Sequence, residues 1–246
     1  MRIDVLTLFP EMFAPLGESI IGRAREKGLI DIRVTDIREF STDKHKKCDD
    51  YPFGGGAGMV MLPQPIFDAV NAVDPDHEAL RIYMSPKGKR LDMPLVKSLA
   101  GLENKRILLL CGHYEGVDQR VLDLCFDDEI SIGDYVLTGG ELGAMVIADA
   151  VARMVPGVLG DAGSAAGDSF YEPLLEYPQY TKPAVYNGWE VPEVLLSGHH
   201  ENIAKWRRKE ALRRTLENRP DLLEKLEMTK QDEKLMAEIL REKEKI

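Results

Sequence analysis

In this chain of 246 residues, the residues that most clearly indicate a ligand-binding site are glycines that follow predicted strands. A β-rich run ending at Ser131 and Ile132 meets Gly133, and Gly139 and Gly140 then precede a long apolar helix pattern. Glycine has no Cβ, so the backbone at these positions can closely approach a bound molecule. In α/β proteins, a strand that turns through glycines into a helix N-terminus often holds a nucleotide-like ligand. The alternative is a junction whose glycines only permit a tight turn.

Two further segments place small or polar residues directly after a predicted strand. One is Met84-Ser85-Pro86, and the other is residues 112–116. Because the carboxyl ends of parallel strands share one edge of a sheet, we expect all three segments to line one crevice. Neither G-x-G-x-x-G nor G-x-x-x-x-G-K-[ST] occurs in the chain. The sequence therefore predicts a nucleotide-type cofactor that is held without the usual phosphate-binding loop.

Strand and helix patterns alternate along the first two thirds of the chain. Strands are predicted at residues 2–9, 29–35, 80–84, 106–111 and 129–132. Helices are predicted at residues 19–27, 63–73 and 117–126, after a cap at Asp92, and from Glu141. This alternation predicts an α/β fold, a parallel sheet with helices on both faces. In the helix at 63–73, Ile66, Phe67, Val70 and Val73 are expected to face the core.

The pattern changes after residue 157. Residues 157–168 contain four glycines and no periodicity, so we predict a flexible linker at 158–174 between a domain of residues 1–157 and a helical domain of residues 175–246. In that second domain a helix is predicted at 198–216. A last helix is capped by Thr229 and Asp232, with Leu235, Ile239 and Leu240 facing inward.

Charge and cysteine content limit the classes of protein to which this chain can belong. The net charge of −10 argues against a general nucleic-acid binder, but residues 199–219 carry seven Lys and Arg against three Glu. Such a cluster indicates either a phosphate contact or a solvated helix face. Three cysteines without C-x-x-C spacing predict reduced thiols in a cytoplasmic protein rather than disulfides or zinc. No apolar run is long enough to span a membrane, and the N-terminus does not read as a signal peptide.

Four longer segments resemble a known family. They are DDYPFGGGAGMVM, LLLCGHYEGVDQRV, SIGDYVLTGGELGAMVIADAVARMVPGVLG and LLSGHHENIAKWRR, in that order. Together they resemble the bacterial tRNA (guanine-37-N1)-methyltransferases of the SPOUT superfamily, and the resemblance extends from residue 1 to about residue 228. It implies a trefoil knot in the C-terminal part of the α/β domain, S-adenosylmethionine as cofactor, and a homodimer with active sites at the subunit interface. Composition alone would not suggest a knot, since knots are nearly absent from proteins.

The resemblance also assigns site residues. The cofactor would contact Met84, Ser85, Pro86, Gly112, Tyr114, Ser131, Ile132, Gly133, Asp134, Tyr135, Val136, Leu137, Gly139 and Gly140. Asp168 would be the base that removes the N1 proton of guanine, Arg153 the cation beside O6, and Glu115 a residue that holds the guanine. Transfer RNA would contact Asp50, His199, Lys205, Arg207, Arg208 and Arg213. Trp206 is expected to pack rather than to stack on a base.

Three functions remain open from the sequence. The first is methylation of guanine N1 at position 37 of tRNA. The second is ribose 2′-O-methylation by the same superfamily, and the third is RNA binding by a non-catalytic dimer. The presence of Asp168, Arg153 and Glu115 together favours the first. The family has been linked to Mg²⁺, but no carboxylate cluster in the sequence specifies a metal site.

Overall fold

Five strands form the central sheet of the first part of the chain. They are β1 (Arg2–Thr7), β2 (Asp31–Asp36), β5 (Leu80–Arg90), β6 (Arg106–Cys111) and β7 (Asp128–Ser131). A computed structural model describes residues 1–160 and 168–243 of the protein. In it the strand order is β2-β1-β6-β5-β7, and each neighbouring pair is parallel. The parallel sheet predicted from the alternating pattern is confirmed.

Helices cover both faces of this sheet. They are α1 (Ser19–Glu26), α2 (Pro63–Val73), α3 (Met93–Ala100), α4 (Gln119–Cys125) and α5 (Glu141–Met154). Alternate residues along a strand point to opposite faces. Ile107 and Leu109 of β6 accordingly pack with α1, α3 and α5, whereas Leu108 and Leu110 pack with α2 and α4. All four of these side chains are fully buried, which explains why β6 reads as a continuous apolar run.

Aspartate side chains cap the starts of α3 and α4. The Asp92 side chain accepts a hydrogen bond from the Leu95 amide at 3.0 Å, as its capping pattern predicts. Asp118 caps α4 in the same way through the Arg120 amide. The prediction that Phe67 faces the core is wrong, because its side chain is 42% exposed. Ile66 and Val70 form the buried stripe of α2 with Ala69, and Phe67 lies about 100° further round the helix than Ile66.

Strand β5 is longer than its apolar pattern indicates and contains a wide bulge. Met84 and Lys89 both pair with Ile130 of β7, so residues 85–88 leave the sheet between them. A Cβ on Gly88 would lie 2.3 Å from the backbone carbon of Glu129, so only glycine allows this approach. The bulge places one loop of the candidate site at the end of the sheet. A short antiparallel pair, β3 (Asp49–Asp50) and β4 (Val60–Met61), was not predicted.

The chain divides into two compact units, Met1–Ala162 and Gly163–Ile246. Residues 161–167 of the predicted linker and residues 244–246 lie outside the described part of the chain. The second unit contains a hairpin, β8 (Val185–Tyr186) and β9 (Trp189–Glu190). Its helices are α6 (Glu193–Leu196), α7 (His200–Asn218), α8 (Pro220–Leu223) and α9 (Lys230–Lys243).

The core of the second unit joins α7 to α9. Leu212, Leu235 and Ile239 are fully buried there. Leu174, from the C-terminal end of the predicted linker, packs in the same cluster. The prediction that Leu240 faces inward is wrong, because it is 48% exposed. Ile239, one residue earlier, takes the inward position on the turn above Leu235.

The start of α9 is held by a reciprocal cap. The Thr229 amide and hydroxyl donate to Asp232 at 3.0 and 2.8 Å, and the Asp232 amide donates back to Thr229 at 3.1 Å. Arg208 of α7 adds two hydrogen bonds to the same carboxylate at 2.8 and 3.0 Å. The Arg208 guanidinium lowers the pKa of Asp232 to about 2, with a smaller contribution from Thr229, although burial opposes the shift.

We expect Asp232→Asn to remove an acid-dependent part of the second unit's stability. A carboxylate whose pKa falls from 3.8 to about 2 on folding stabilises the fold above pH 4. That stabilisation, about 2 kcal/mol, is lost as the pH falls toward 2. Both tryptophans, Trp189 and Trp206, lie in the second unit, so denaturation followed by tryptophan fluorescence at pH 2–7 measures it. Asp221→Asn, at an exposed ion pair, is the control. Equal pH dependence in Asp232→Asn and the unaltered protein would contradict this assignment.

All three cysteines lie in the first unit and are buried. Cys48, Cys111 and Cys125 are between 0 and 4% exposed, and all are free thiols. Burial raises the pKa of each thiol, most strongly that of Cys111, where the Glu141 carboxylate adds to the effect. In the described parts of the chain, no helix has both the length and the apolar character that crossing a membrane requires.

Candidate functional site

The three segments predicted to follow strand ends line one cavity in the first unit. Its volume is about 280 Å³, near the lower end of small-molecule sites, which begin at about 300 Å³. The bulge of β5, the loop after β6 and the segment after β7 all contribute to its wall. Thirteen of the fourteen residues that the resemblance assigns to the cofactor line this cavity, and Asp134, which is exposed, does not.

Glycines allow the segments of the cavity to approach one another. A Cβ on Gly140 would lie 2.8 Å from the Cα of Cys111, 3.0 Å from the Cβ of Met84 and 3.1 Å from the Gly112 nitrogen. A Cβ on Gly112 would lie 2.8 Å from the Tyr83 hydroxyl. Since non-bonded carbons normally stay about 3.5 Å or more apart, a larger residue at Gly140 would displace backbone, and one at Gly112 would displace the Tyr83 ring. The Gly140 amide donates to the Gly112 carbonyl at 2.9 Å, which joins two of the segments directly.

A side-chain network that the sequence did not suggest lies against these loops. Glu141 accepts a hydrogen bond from the Thr7 hydroxyl at 2.6 Å, and its second oxygen lies 2.8 Å from Nε2 of His113. His113 also lines the cavity. Sequence patterns place Glu141 at a helix start, where acidic residues are common, so its type alone gave no signal. Its burial, at 1% exposure, distinguishes it.

Glu115 lies on the rim of the cavity beside the glycine-rich loop at residues 54–58. The Glu115 amide donates to the Met59 carbonyl at 2.9 Å. Gly58 has φ +81°, and a Cβ there would lie 2.5 Å from the Glu115 side chain. The glycine-rich loop therefore belongs to the same site by contact. Asp50, at the start of this loop, is exposed and pairs with Lys47 at 3.3 Å.

Two tyrosines of the cavity have raised pKa values. Burial, with a smaller contribution from Glu129, raises the pKa of Tyr83 to about 12. Burial also raises the pKa of Tyr114, whose ring is nevertheless half exposed at the mouth of the cavity. Both hydroxyls therefore stay neutral at physiological pH. The cavity presents them as hydrogen-bonding groups rather than as anions.

The two remaining residues assigned to catalysis lie in different units. Arg153 is in the last turn of α5 and is half-buried. Asp168 is the first described residue of the second unit, where it lines a recess of about 320 Å³ together with Tyr177, Arg207 and Arg208. The structure thus brings Asp168 next to part of the basic cluster on α7.

The basic cluster on α7 divides into paired and unpaired cations. Arg208 binds Asp232 and Glu172, and Arg213 binds Glu210 and Glu242. Lys209 likewise binds Glu238 and Glu242. These pairs connect α7 to the rest of its unit, which argues against the predicted phosphate contacts of Arg208 and Arg213. Sequence alone could not show most of these pairs, because the partners outside α7 of Arg208 and Arg213 lie 24 to 36 residues away.

Arg207, Lys205 and His199 are exposed, and within the described ranges no carboxylate lies within ion-pair distance of them. The Arg207 guanidinium lies 5.0 Å from the centre of the Tyr177 ring. Trp206 is half-buried with its ring centre 6.3 Å from that of Tyr180, which agrees with its expected packing role. Within the same ranges, no group of three His, Cys, Asp or Glu side chains could hold a metal ion.

Fold and site together define an α/β protein with a glycine-lined cavity at the carboxyl edge of a parallel sheet, followed by a helical unit with a cationic helix. The chain belongs to the family described as tRNA (guanine-1)-methyltransferase TrmD, whose model matches residues 1–225. The resemblance inferred from the four segments is confirmed.

Curated relatives match the chain over nearly its whole length. A tRNA (guanine-N(1)-)-methyltransferase of Halalkalibacterium halodurans is 54% identical over 248 residues, with 100% of both chains covered. Proteins of the same name from Desulforamulus reducens and Ruminiclostridium cellulolyticum are 55% and 57% identical. These alignments cover 97% and 92% of this chain, and 95% and 97% of the respective relatives.

Proposed function

We propose that this protein transfers a methyl group from S-adenosylmethionine to N1 of guanine 37 in tRNA. The observation that carries the proposal is that the bulge of β5, the loop after β6 and the segment after β7 together line one cavity. Membership of the tRNA (guanine-1)-methyltransferase family supports the reaction type. The names of the curated relatives support guanine N1 as the methylated atom.

The lining of the cavity suits this cofactor. Gly112 and Gly140 bring backbone groups to its surface, where they can bind an adenosine without side chains intervening. The rings of Tyr114 and Tyr135 also line it, and aromatic faces attract cations such as a sulfonium. S-adenosylmethionine has no pyrophosphate, which agrees with the absence of a dinucleotide-binding fingerprint in the sequence.

The chain's own residues supply the rest of the chemistry. When bound, S-adenosylmethionine offers a methyl group on a positively charged sulfur, which is already a good electrophile. Guanine N1 carries a proton near neutral pH and becomes a good nucleophile only when that proton leaves. We assign Asp168 as the general base that accepts it. Arg153 would stabilise the negative charge that develops on O6, and Glu115 would hold the guanine edge.

We further propose that the first unit contains a trefoil knot and that the protein works as a homodimer. Family membership supports both. In the proposed dimer, the cofactor is held by one subunit and the base is supplied by the other. Since tRNA is the substrate, we place the enzyme in the cytoplasm.

We assign tRNA phosphate contacts to exposed basic residues of α7 and of its N-cap. Arg207, Lys205 and His199 are exposed, whereas Arg208 and Arg213 already bind carboxylates. Asp50 at the glycine-rich loop remains the proposed contact on the first unit. Chemistry on a base edge requires the base to leave the stack, so the backbone contacts would hold the stem while guanine enters the cavity.

Product analysis tests the proposed reaction. The protein is incubated with labelled S-adenosylmethionine and with two tRNAs that differ only at guanine 37, and the labelled nucleoside is identified. We expect 1-methylguanosine from the tRNA with guanine 37 and none from the other. A 2′-O-methyl nucleoside would instead identify a ribose methyltransferase. Binding of tRNA without any product would indicate a non-catalytic RNA-binding dimer.

Replacing Arg207 and Arg208 separately should give different results. We expect Arg207→Ala to weaken tRNA binding and to reduce the slope of log K against log salt by about 1, because one phosphate contact is lost. We expect Arg208→Ala to lower the melting temperature, because the buried Asp232 carboxylate loses its cation. Fluorescence anisotropy between about 50 and 200 mM salt measures the slopes. An unchanged slope in Arg207→Ala would contradict the assignment.

A further inference from the structure

Glu141 is a buried carboxylate at the first position of α5. It is 1% exposed, and both of its oxygens have a side-chain partner: Oε1 lies 2.6 Å from the Thr7 hydroxyl and Oε2 lies 2.8 Å from Nε2 of His113. Burying an ionised carboxylate is costly unless it is fully hydrogen-bonded. The helix N-terminus further favours a negative charge at this position. A carboxyl group that is kept in a buried site with a partner on each oxygen indicates a role beyond filling space.

Glu141 and its two partners lie at or after three different strand ends. Thr7 is the last residue of β1, His113 follows β6, and Glu141 itself follows the segment after β7. His113 and Gly139 form an isolated antiparallel bridge, and a Cβ on Gly139 would lie 2.3 Å from His113 Nε2. The Phe9 ring packs on the His113 ring with centroids 4.7 Å apart. The carboxylate therefore joins the two loops of the cavity to each other and to β1.

The hydrogen-bond directions in this network follow from the number of donors. The Phe9 amide donates to the Thr7 hydroxyl at 2.9 Å, so the one hydroxyl hydrogen of Thr7 is available to Glu141. An ionised carboxylate can only accept. His113 must therefore carry a proton on Nε2, which makes Nδ1 the acceptor in the neutral ring. Charge on Glu141 thus determines the tautomer of a histidine that lines the cavity.

We propose that Glu141 is a positioning residue that holds the loop after β6 and the segment after β7 at the separation needed to bind the methyl donor. This inference rests on the proposed function, because it takes S-adenosylmethionine as the ligand. Glu141 does not itself line the cavity. It acts through His113 and through Gly139 and Gly140, which do.

The test compares Glu141→Gln with Asp149→Asn, a matched change from carboxylate to amide at an exposed site on the same helix. The amide introduced by Glu141→Gln has only one accepting atom, so it can keep both contacts only if His113 changes its tautomer, and the charge assistance of both hydrogen bonds is lost. We expect the dissociation constant for S-adenosylmethionine, measured by equilibrium dialysis, to rise on the order of 10- to 100-fold. In kinetics we expect KM for S-adenosylmethionine to rise while kcat changes little. Asp149→Asn should behave like the unaltered protein.

Two further measurements separate positioning from general stability. Thr7→Val removes one of the two donors, and a double-mutant cycle of Thr7→Val with Glu141→Gln should show non-additive losses of affinity. In ¹⁵N-histidine NMR of the unaltered protein we expect the Nε2–H form of His113, identified by its loss in His113→Gln. Unchanged affinity in folded Glu141→Gln, or an Nδ1–H form of His113, would overturn the proposal. If the unaltered protein failed to bind S-adenosylmethionine, the proposed function would fail, and the NMR result would still decide the hydrogen-bond network.

Discussion

Replacing Asp168 by Ala should reduce the rate of methyl transfer by about 10² to 10⁴-fold while leaving cofactor affinity unchanged. The reason is that general-base removal of the N1 proton contributes a factor of this size. Asp168 belongs to the second unit, whereas the cavity that we assign to the cofactor belongs to the first. The measurement is single-turnover methylation of tRNA at saturating cofactor, with the dissociation constant for S-adenosylmethionine determined in parallel.

Two variants control for indirect effects of the Asp168 change. Asp221→Asn alters another carboxylate of the second unit and should retain full activity, because that side chain is exposed and pairs only locally with Arg219. Asp168→Asn keeps the size of the side chain but cannot accept the proton, and it should be as slow as Asp168→Ala. If Asp168→Asn kept most of the activity, Asp168 would not be the base.

Mixed dimers examine whether the base and the cofactor site come from different subunits. An Asp168→Ala subunit is combined with a subunit that cannot bind the cofactor, and the mixture is assayed for 1-methylguanosine. In the proposed dimer, each mixed pair contains one site with an intact cavity and an intact Asp168. We therefore expect activity to return in the mixture although each variant alone is inactive. A mixture that exchanges subunits and stays inactive would show that the site is not shared.

The second large effect is expected at Gly140. In Gly140→Ala the new methyl group would lie 2.8 Å from the Cα of Cys111 and 3.1 Å from the nitrogen of Gly112. Either the backbone at Gly140 or the backbone at residues 111–112 must therefore move. Overpacking of this kind typically costs about 1–3 kcal/mol. Because the displaced backbone forms the cavity wall, we expect S-adenosylmethionine to bind about 10²-fold more weakly or not at all. This variant is also the cofactor-deficient subunit required for the mixed dimers.

The comparison for Gly140→Ala uses two other glycines. Gly17→Ala should be neutral, because the closest atom to a Cβ there is 3.9 Å away in the Arg25 side chain. Gly112→Ala should be intermediate, since its close contact is the Tyr83 ring, which can move more easily than backbone. Isothermal titration gives the affinities, and circular dichroism verifies that each variant is folded. Equal affinity for Gly140→Ala and Gly17→Ala would show that the cavity tolerates the shift and does not bind the cofactor as proposed.

The sheet and its helices could be predicted because local sequence and burial agree there. Residues 106–111 are apolar on both faces of β6 since helices cover both faces. Caps such as Asp92 and Thr229 use only neighbouring backbone, so their pattern is visible in the sequence. The three segments after strands β5, β6 and β7 could be placed at one cavity because the carboxyl ends of parallel strands share an edge.

What could not be predicted depends on contacts that are distant along the chain. Nothing near Arg208 indicates that Asp232 and Glu172 neutralise it. Glu141 likewise reads as an ordinary acidic helix start, and its partner Thr7 lies 134 residues away. The bulge in β5 arises because Met84 and Lys89 share one partner in β7, a property of pairing rather than of composition. Assignments from residue type alone therefore could not show which basic residues of α7 already have carboxylate partners, and they missed the network beside the cavity.

Labelling of the three buried cysteines can measure how fast the first unit opens. Cys111 ends β6 immediately before Gly112, and Cys48 and Cys125 lie under other parts of the same unit. Thiol reagents react with the exposed thiolate, so labelling requires local or global opening. Because the second unit contains no cysteine, the rate of labelling reports opening of the first unit alone. Mass spectrometry of each labelled cysteine would then give an opening rate for the cavity wall at Cys111, with and without ligand.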